Sequence, residues 1–248
     1  MILNLPTFLT GGKKMRKIAL EKIDLLFGAI AEKNALYLPV DRNDGKSEYS
    51  KWEEGKKWSN ALNTVKSPKD FFFPQTEDMM EFKVDGKNIE VIDTRKASEN
   101  FVVFGVRACD VRAFDVLDRV FLTEPRDSYY ATKREHGTIV AVACGRPSET
   151  CFCTAFGIDP AEPMGDVTAW KTESDLYLKA NTEKGESLLA SVAGLTEETD
   201  GEAVESQKEK IAEITKKLPL AKLDTTAFGG GKTDEFFNRP EWDEQSET

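Results

Sequence analysis

Two continuous apolar runs in the middle of the chain predict buried strands. They cover residues 101–106 and 138–143, and such runs are typical of strands covered on both faces. Between them, apolar residues recur at helical spacing: Val111, Phe114, Leu117 and Val120. Asp110 stands where its side chain would cap the start of that helix. The pattern predicts a strand, a helix and a second strand in succession.

This succession predicts where two cysteines meet. A strand, a crossover helix and a strand form a parallel pair, whose carboxyl ends lie at one edge of the sheet. Cys109 follows the first run by three residues, and Cys144 follows the second run directly. Open α/β sheets place their ligands at this edge. We therefore expect Cys109 and Cys144 to converge there.

The remaining pattern predicts an α/β fold, a mixed sheet with parallel central strands and flanking helices and with the cysteines at its carboxyl edge. Helical spacing covers residues 18–32, 183–192 and 201–218, and strand patterns cover residues 36–40, 167–170 and 176–180. A hairpin joins residues 82–84 and 89–92 through an Asp-Gly turn. The polar segment 41–57 suggests a loop and an edge strand, and residues 123–130 suggest a surface crossover loop.

The chain divides into three regions by this pattern. Residues 1–14 suggest an extension ahead of a more natural beginning at Met15. Residues 15–195 are expected to form the α/β domain with a four-cysteine site. Residues 196–248 are expected to form a helical extension.

All four cysteines of the chain lie close together in the sequence. They are Cys109, Cys144, Cys151 and Cys153. Four thiols are the full ligand set of a tetrahedral zinc ion or of a cubane iron–sulfur cluster. In extended chain, Cys151 and Cys153 face the same way about 6–7 Å apart. Their spacing matches neither the common ferredoxin run nor a zinc ribbon.

Positive charge next to the cysteines favours a bound anion, as an all-thiolate cluster is. Arg107, Arg112 and Arg146 each lie within three residues of a cysteine. The helix start after Cys109 adds backbone N–H donors. We expect Arg107 and Arg146 to contribute to cofactor binding.

Three hypotheses remain for these thiols. The first is a [4Fe-4S] cluster, and the second is structural zinc in a scaffold subunit without a redox role. The third is thiol or sulfur-transfer chemistry at Cys151 and Cys153, which requires a low thiol pKa. Spacing alone does not separate the first from the second.

Composition narrows the function classes. The formal net charge of −10 argues against binding to nucleic acid or to an anionic membrane. No apolar run approaches the ~20 residues of a membrane span, and the start of the chain is a poor signal peptide. Four cysteines in such a chain suit a reducing cytoplasm. A single histidine and the lack of a G-x-S-x-G motif argue against hydrolytic triads.

Four stretches carry a resemblance to a known family. They are residues 73–77, residues 104–110 with 117–121, and residues 142–153, which read Val-Ala-Cys-Gly-Arg-Pro-Ser-Glu-Thr-Cys-Phe-Cys. Here the chain resembles the iron–sulfur beta subunit of cytoplasmic sulfhydrogenases and nickel–iron hydrogenases, a family related to one of the subunits of anaerobic sulfite reductase. The resemblance runs from about Met15 to Trp242 and is weak in residues 40–70 and 195–225.

The resemblance implies an electron carrier that is not catalytic alone. Within one cytoplasmic, anaerobic complex, it would pass single electrons between a flavin- and NAD(P)-binding partner and a hydrogenase or sulfite-reducing subunit. Its four cysteines would hold one [4Fe-4S] cluster, and the terminal acceptor stays open among protons, polysulfide and sulfite. Family members continue into a ferredoxin-like domain after a segment like residues 237–242, so we expect the N-terminal part of a longer subunit.

Overall fold

A large mixed sheet forms the centre of the molecule, as the apolar pattern predicts. The computed structural model describes residues 15–97, 99–226, 229, 231–237 and 239–246. The strands are β1 (Met15–Ala19), β2 (Ala35–Asp41), β3 (Ser47–Lys51), β4 (Met80–Asp85), β5 (Asn88–Asp93), β6 (Phe101–Val106), β7 (Gly137–Val142), β8 (Val167–Lys171), β9 (Asp175–Ala180) and β10 (Glu197–Thr199). Within those ranges eight strands form one sheet in the order β10-β1-β9-β8-β7-β6-β2-β3, and β4 and β5 pair separately.

The central strands are parallel and the outer strands are antiparallel. β2, β6, β7 and β8 run parallel to one another. β3 pairs antiparallel with β2, while β9, β1 and β10 continue the other side antiparallel. The predicted fold class is therefore confirmed, including the parallel pair that precedes Cys109 and Cys144.

Helices cover both faces of this sheet. The α-helices are α1 (Ile23–Ala31), α2 (Ala108–Phe121), α3 (Ser128–His136), α4 (Glu183–Ser191), α5 (Glu202–Lys216), α6 (Lys232–Phe236) and α7 (Glu241–Ser246). Short 3-10 helices span Leu20–Lys22, Pro68–Phe71, Thr94–Ala97, Cys153–Phe156, Ala193–Leu195 and Pro219–Lys222. No helix in the described ranges is both long and apolar enough to cross a membrane.

β6 is buried on both faces, which explains its continuous apolar sequence. Val102 and Phe104 pack into the core under α1 and α4, whereas Val103 and Val106 pack into the core under α2 and α3. In a regular strand, side chains alternate between the two faces of the sheet, so Val103 and Val106 would lie on opposite faces. A bulge at Gly105 shifts the register against β7 and returns Val106 to the same face as Val103.

The Gly105 bulge needs glycine. Its φ of +88° lies in the left-handed region, and a Cβ at this position would approach Cδ of Pro39 to 3.0 Å. The bulge directs the chain into Arg107 and the first turn of α2. It therefore sets the position of Cys109.

Two predictions at the start of helices are wrong. Residues 15–19 form β1, so α1 begins at Ile23 and not at Ile18, because apolar residues two apart satisfy a strand as well as a helix. α2 begins at Ala108, after Arg107 as its N-cap, so Asp110 lies inside the first turn. The Asp110 carboxylate instead accepts hydrogen bonds from Ser67 and Lys69.

The segment before β7 also differs from the prediction. Residues 128–136 form α3, where a surface loop was expected from residue 123 to residue 130. The Asp127 carboxylate caps α3 by accepting from the backbone N–H groups of Tyr129 and Tyr130 at 2.9 and 3.0 Å. Tyr130 is 1% exposed, whereas Val120 of the predicted apolar stripe is 61% exposed. The predicted hairpin and the edge strand β3 are confirmed.

Candidate metal centre

The four cysteines line one cavity of about 440 Å³ at the carboxyl edge of the sheet. Cys109 lies in the first turn of α2, after β6, and Cys144 lies just after β7. Cys151 and Cys153 follow in the next loop, where Cys153 opens a 3-10 helix. All four are free thiols. The structure therefore brings the four sequence-predicted ligands together.

The four cysteines differ in their burial along the cavity. Cys144 is buried at 9% exposure, Cys151 and Cys153 are half-buried, and Cys109 is exposed. The backbone N–H of Cys144 donates to the carbonyl of Pro160 at 2.8 Å, which fixes the buried end.

Each cysteine sulfur has a nearby backbone N–H donor. The donors belong to Asp110 for Cys109, Arg146 for Cys144, Ser148 for Cys151 and Thr154 for Cys153. The Ser148 N–H lies 3.3 Å from Sγ of Cys151, and the Ser148 hydroxyl lies 3.4 Å from the same sulfur. Such N–H groups stabilise thiolates and tune the potential of metal–sulfur centres.

Burial raises the pKa of the Cys109, Cys144 and Cys153 thiols. The negative charges of other cysteines in the group raise these pKa values further, while the Arg107 charge opposes the shift at Cys144. An activated nucleophile needs the opposite shift. The raised pKa of Cys153 therefore speaks against the reactive-thiol hypothesis for the metal-free protein.

Two of the three neighbouring arginines lie near the buried end of the cavity. Arg107 lines the cavity, and its guanidinium donates to the Ala61 carbonyl at 3.1 Å. The side chain of Arg146 is exposed and lies outside the cavity lining, although its backbone N–H reaches Cys144. Arg112 forms a surface ion pair with Asp115 at 2.9 Å. Positive charge thus gathers on the Cys144 side.

Lys171, which no sequence motif singles out, adds to this positive region. Burial lowers the pKa of Lys171, and the charges of Arg146 and Arg107 lower it further. Its ammonium also lies 4.6 Å from the ring centre of Trp58. The charges of these three cations therefore act on one another, and the Lys171 ammonium also donates to Oδ1 of Asn60. A bound anionic centre would relieve that repulsion.

The wall opposite the cysteines comes from a distant part of the chain. It is formed by Tyr49 and by residues from the segment 61–68. Ser67 and Lys69 donate to Oδ1 of Asp110 at 2.8 and 2.7 Å, which ties this segment to α2 beside Cys109. None of these wall residues is predicted from the sequence, because a polar loop and an edge strand carry no motif. The one sequence feature that could have pointed to this wall is the group of polar residues around Ser67 and Lys69.

The donor atoms suit a thiophilic centre. All four candidate ligands are sulfur, a set that binds zinc or an iron–sulfur cluster. Among the described residues, no three or more His, Cys, Asp or Glu side chains close around a point as the ligands of a single metal ion do. The four thiols therefore share a cavity without forming a compact mononuclear site.

Comparison with known proteins gives one clear relative. Over 176 residues, 70% of this chain, the sequence is 29% identical to sulfhydrogenase 2 subunit beta of Pyrococcus furiosus. The aligned part covers 50% of that protein, so the chain spans about half the length of the curated relative it matches. No protein-family model matches the chain, and no solved structure matches it. The comparison supports the predicted resemblance to the beta subunit of a sulfhydrogenase, but it does not bear on sulfite reductase or nickel.

Proposed function

We propose that this chain is the cluster-bearing part of an electron-transfer subunit in a hydrogenase or sulfhydrogenase complex. Cys109, Cys144, Cys151 and Cys153 hold one [4Fe-4S] cluster, which supplies one-electron storage when bound. The observation that carries the proposal is the shared cavity, in which two strand ends and the following loop present four thiols. The similarity to a sulfhydrogenase beta subunit supports the same function.

The surroundings of the thiols suit a negatively charged cluster. A backbone N–H group lies near each sulfur, and Arg107 lines the cavity on the Cys144 side. These groups offset the charge of four thiolates without moving a proton. Cys144 itself is 9% exposed, so its sulfur would be largely shielded from water. In this proposal the chain's own residues bind the cluster, orient it and set its potential.

The partners follow from this role. One subunit would bind a flavin and NAD(P), and another would carry hydrogenase or sulfite-reducing activity. The complex would be cytoplasmic and anaerobic, and this chain would not be catalytic alone. Cys109 is the exposed cysteine of the four, so electrons would enter or leave on its side.

Electron paramagnetic resonance (EPR) on anaerobically purified, dithionite-reduced protein tests the proposal. We expect a low-temperature cluster signal from the unmodified chain, and its loss or a changed line shape when any one of the four cysteines is changed to serine. Ala155→Ser, in the 3-10 helix that begins at Cys153 but outside the cavity lining, is the matched control and should keep the signal. A colourless, EPR-silent protein with one bound zinc would establish the scaffold function instead.

A further inference from the structure

Tyr49 presents a phenol to the cysteine cavity without a hydrogen-bond partner. It lies in β3 opposite Pro39, and both residues line the cavity with Cys109 and Asp110. Its ring packs edge-on against Phe71, with 5.7 Å between ring centres. Within the described part of the chain, no hydrogen bond engages its hydroxyl. The Tyr49 ring is therefore held by packing, while its hydroxyl has no hydrogen-bond partner among the described residues.

Tyr49 lines the cavity together with Cys109, Asp110 and Arg107. Burial raises the pKa of Tyr49, and the negative charges of Asp110 and Cys109 raise it further, with Arg107 opposing them. The hydroxyl therefore stays protonated at every physiological pH and can act only as a neutral donor or acceptor. Oδ1 of Asp110 already accepts from Ser67 and Lys69.

Another tyrosine shows the usual arrangement. The Tyr130 hydroxyl is buried and donates to Oδ1 of Asp118 at 2.6 Å. A phenol removed from water without a partner costs on the order of 1–3 kcal/mol. Tyr49 is half-buried at the edge of the cavity, so its hydroxyl is free to donate to a centre bound there.

We propose that the Tyr49 hydroxyl donates a hydrogen bond to a sulfur atom of the bound centre, beside Cys109, and thereby raises its reduction potential. The inference rests on the proposed [4Fe-4S] cluster. Sulfur atoms become more negative when a cluster gains an electron, so a donor stabilises the reduced form more than the oxidised form. Tyr49 thus adds a side-chain donor where the negative charge of Asp110 acts against reduction.

A pair of variants tests this tuning. Tyr49→Phe removes only the hydroxyl and keeps the ring on Phe71. Tyr37→Phe is the matched control. The Tyr37 ring also packs against Phe71, with 4.6 Å between ring centres, but Tyr37 does not line the cavity. Both variants should keep the iron and sulfide content. At a fixed solution potential the reduced-to-oxidised ratio should fall roughly three- to tenfold in Tyr49→Phe, where tenfold is about 59 mV, and stay unchanged in Tyr37→Phe.

A second readout detects the hydrogen bond itself. Pulsed electron–nuclear resonance of the reduced protein should show an exchangeable proton coupled to the cluster that is lost in Tyr49→Phe and kept in Tyr37→Phe. An unchanged potential together with an unchanged proton signal would overturn the inference while leaving the proposed function intact. A protein that binds no cluster, even unmodified, would instead overturn the proposed function.

If Tyr49→Phe does not retain the centre, incorporation of fluorotyrosine tests the hydrogen bond from Tyr49 instead. Fluorination makes every phenol a stronger donor, and Tyr49 is the one tyrosine among the described residues that lines the cavity. Labelled protein should have a higher potential than unlabelled protein, with or without Tyr37→Phe. No rise in either background would contradict the inference.

Discussion

Lys69 donates to the carboxylate of Asp110 at 2.7 Å and so joins two distant segments beside Cys109. The lysine lies in the 3-10 helix Pro68–Phe71, and the aspartate lies in the first turn of α2. Ser67 adds a second bond to the same oxygen. This contact holds the wall of the cavity against the helix that carries one candidate ligand.

The first prediction concerns this contact. Lys69→Met should lower the free energy of unfolding by about 1–2 kcal/mol, because it leaves a partly buried carboxylate short of a charged partner. It should also speed the loss of the bound centre to a chelator. Lys66→Met is the control, since Lys66 forms only an exposed pair with Asp70 at 3.6 Å. If both variants change the urea unfolding free energy and the rate of loss to a chelator equally, the Lys69–Asp110 contact does not stabilise the cavity wall.

The second prediction concerns the bulge before Arg107. Gly105→Ala places a methyl group 3.0 Å from Cδ of Pro39 at a φ of +88°, so the substituted residue is strained and the Pro39 ring must move by a few tenths of an ångström. We expect a loss of about 1–3 kcal/mol in unfolding free energy and weaker retention of the metal centre, because the strained residue lines the cavity with Cys109. Gly194→Ala is the control, as no atom of the described residues lies within 4 Å of its added methyl group. Thermal unfolding and iron content measure the two effects.

A third prediction concerns the buried ion pair behind the sheet. Arg134 donates to both oxygens of Asp118 at 2.9 Å, and Asp118 is 1% exposed. Among the described residues, Arg134→Met leaves that carboxylate with the Tyr130 hydroxyl alone, so we expect a loss of about 3–5 kcal/mol in unfolding free energy. Arg112→Met breaks a surface pair of the same type and should cost less than about 1 kcal/mol. If both variants lose a similar amount of unfolding free energy, burial does not make the Arg134–Asp118 pair more important than the surface pair.

The fourth prediction is a pH dependence. Although burial acts to raise the pKa of Glu162, hydrogen bonds from Lys208 and Lys179 outweigh it and lower that pKa below its ordinary 4.5. A lowered folded-state pKa gives stability that is present above the unfolded-state pKa and is lost as pH falls through the folded one. Glu162→Gln should therefore reduce the loss of stability below about pH 4.5.

The control for this variant is Glu197→Gln, whose carboxylate is 80% exposed and lies 4.0 Å from Lys17. Its stability profile between about pH 3 and pH 6, measured by urea unfolding, should match that of the unmodified chain. If Glu162→Gln has the same stability profile as the unmodified chain, Lys208 and Lys179 do not lower the pKa of Glu162 in solution.

The sequence predicts the part of this site that depends on topology. β6 and β7 are continuous apolar runs, and a helical stripe between them dictates a parallel pair, so the approach of Cys109 and Cys144 follows. Tyr49 and Ser67 escape prediction, because an edge strand and a polar loop reach the cavity only through tertiary packing. α3 was missed although Asp127 has the residue type of an N-cap, since its sequence has no clear apolar stripe.

Metal and acid-labile sulfide analysis of the anaerobically purified protein tests the central claim most directly. The cavity, its four thiols and their N–H donors predict about four irons and four sulfides per chain. Removing any one of the four cysteines should lower both numbers together. One zinc per chain with no sulfide would contradict the electron-carrier function.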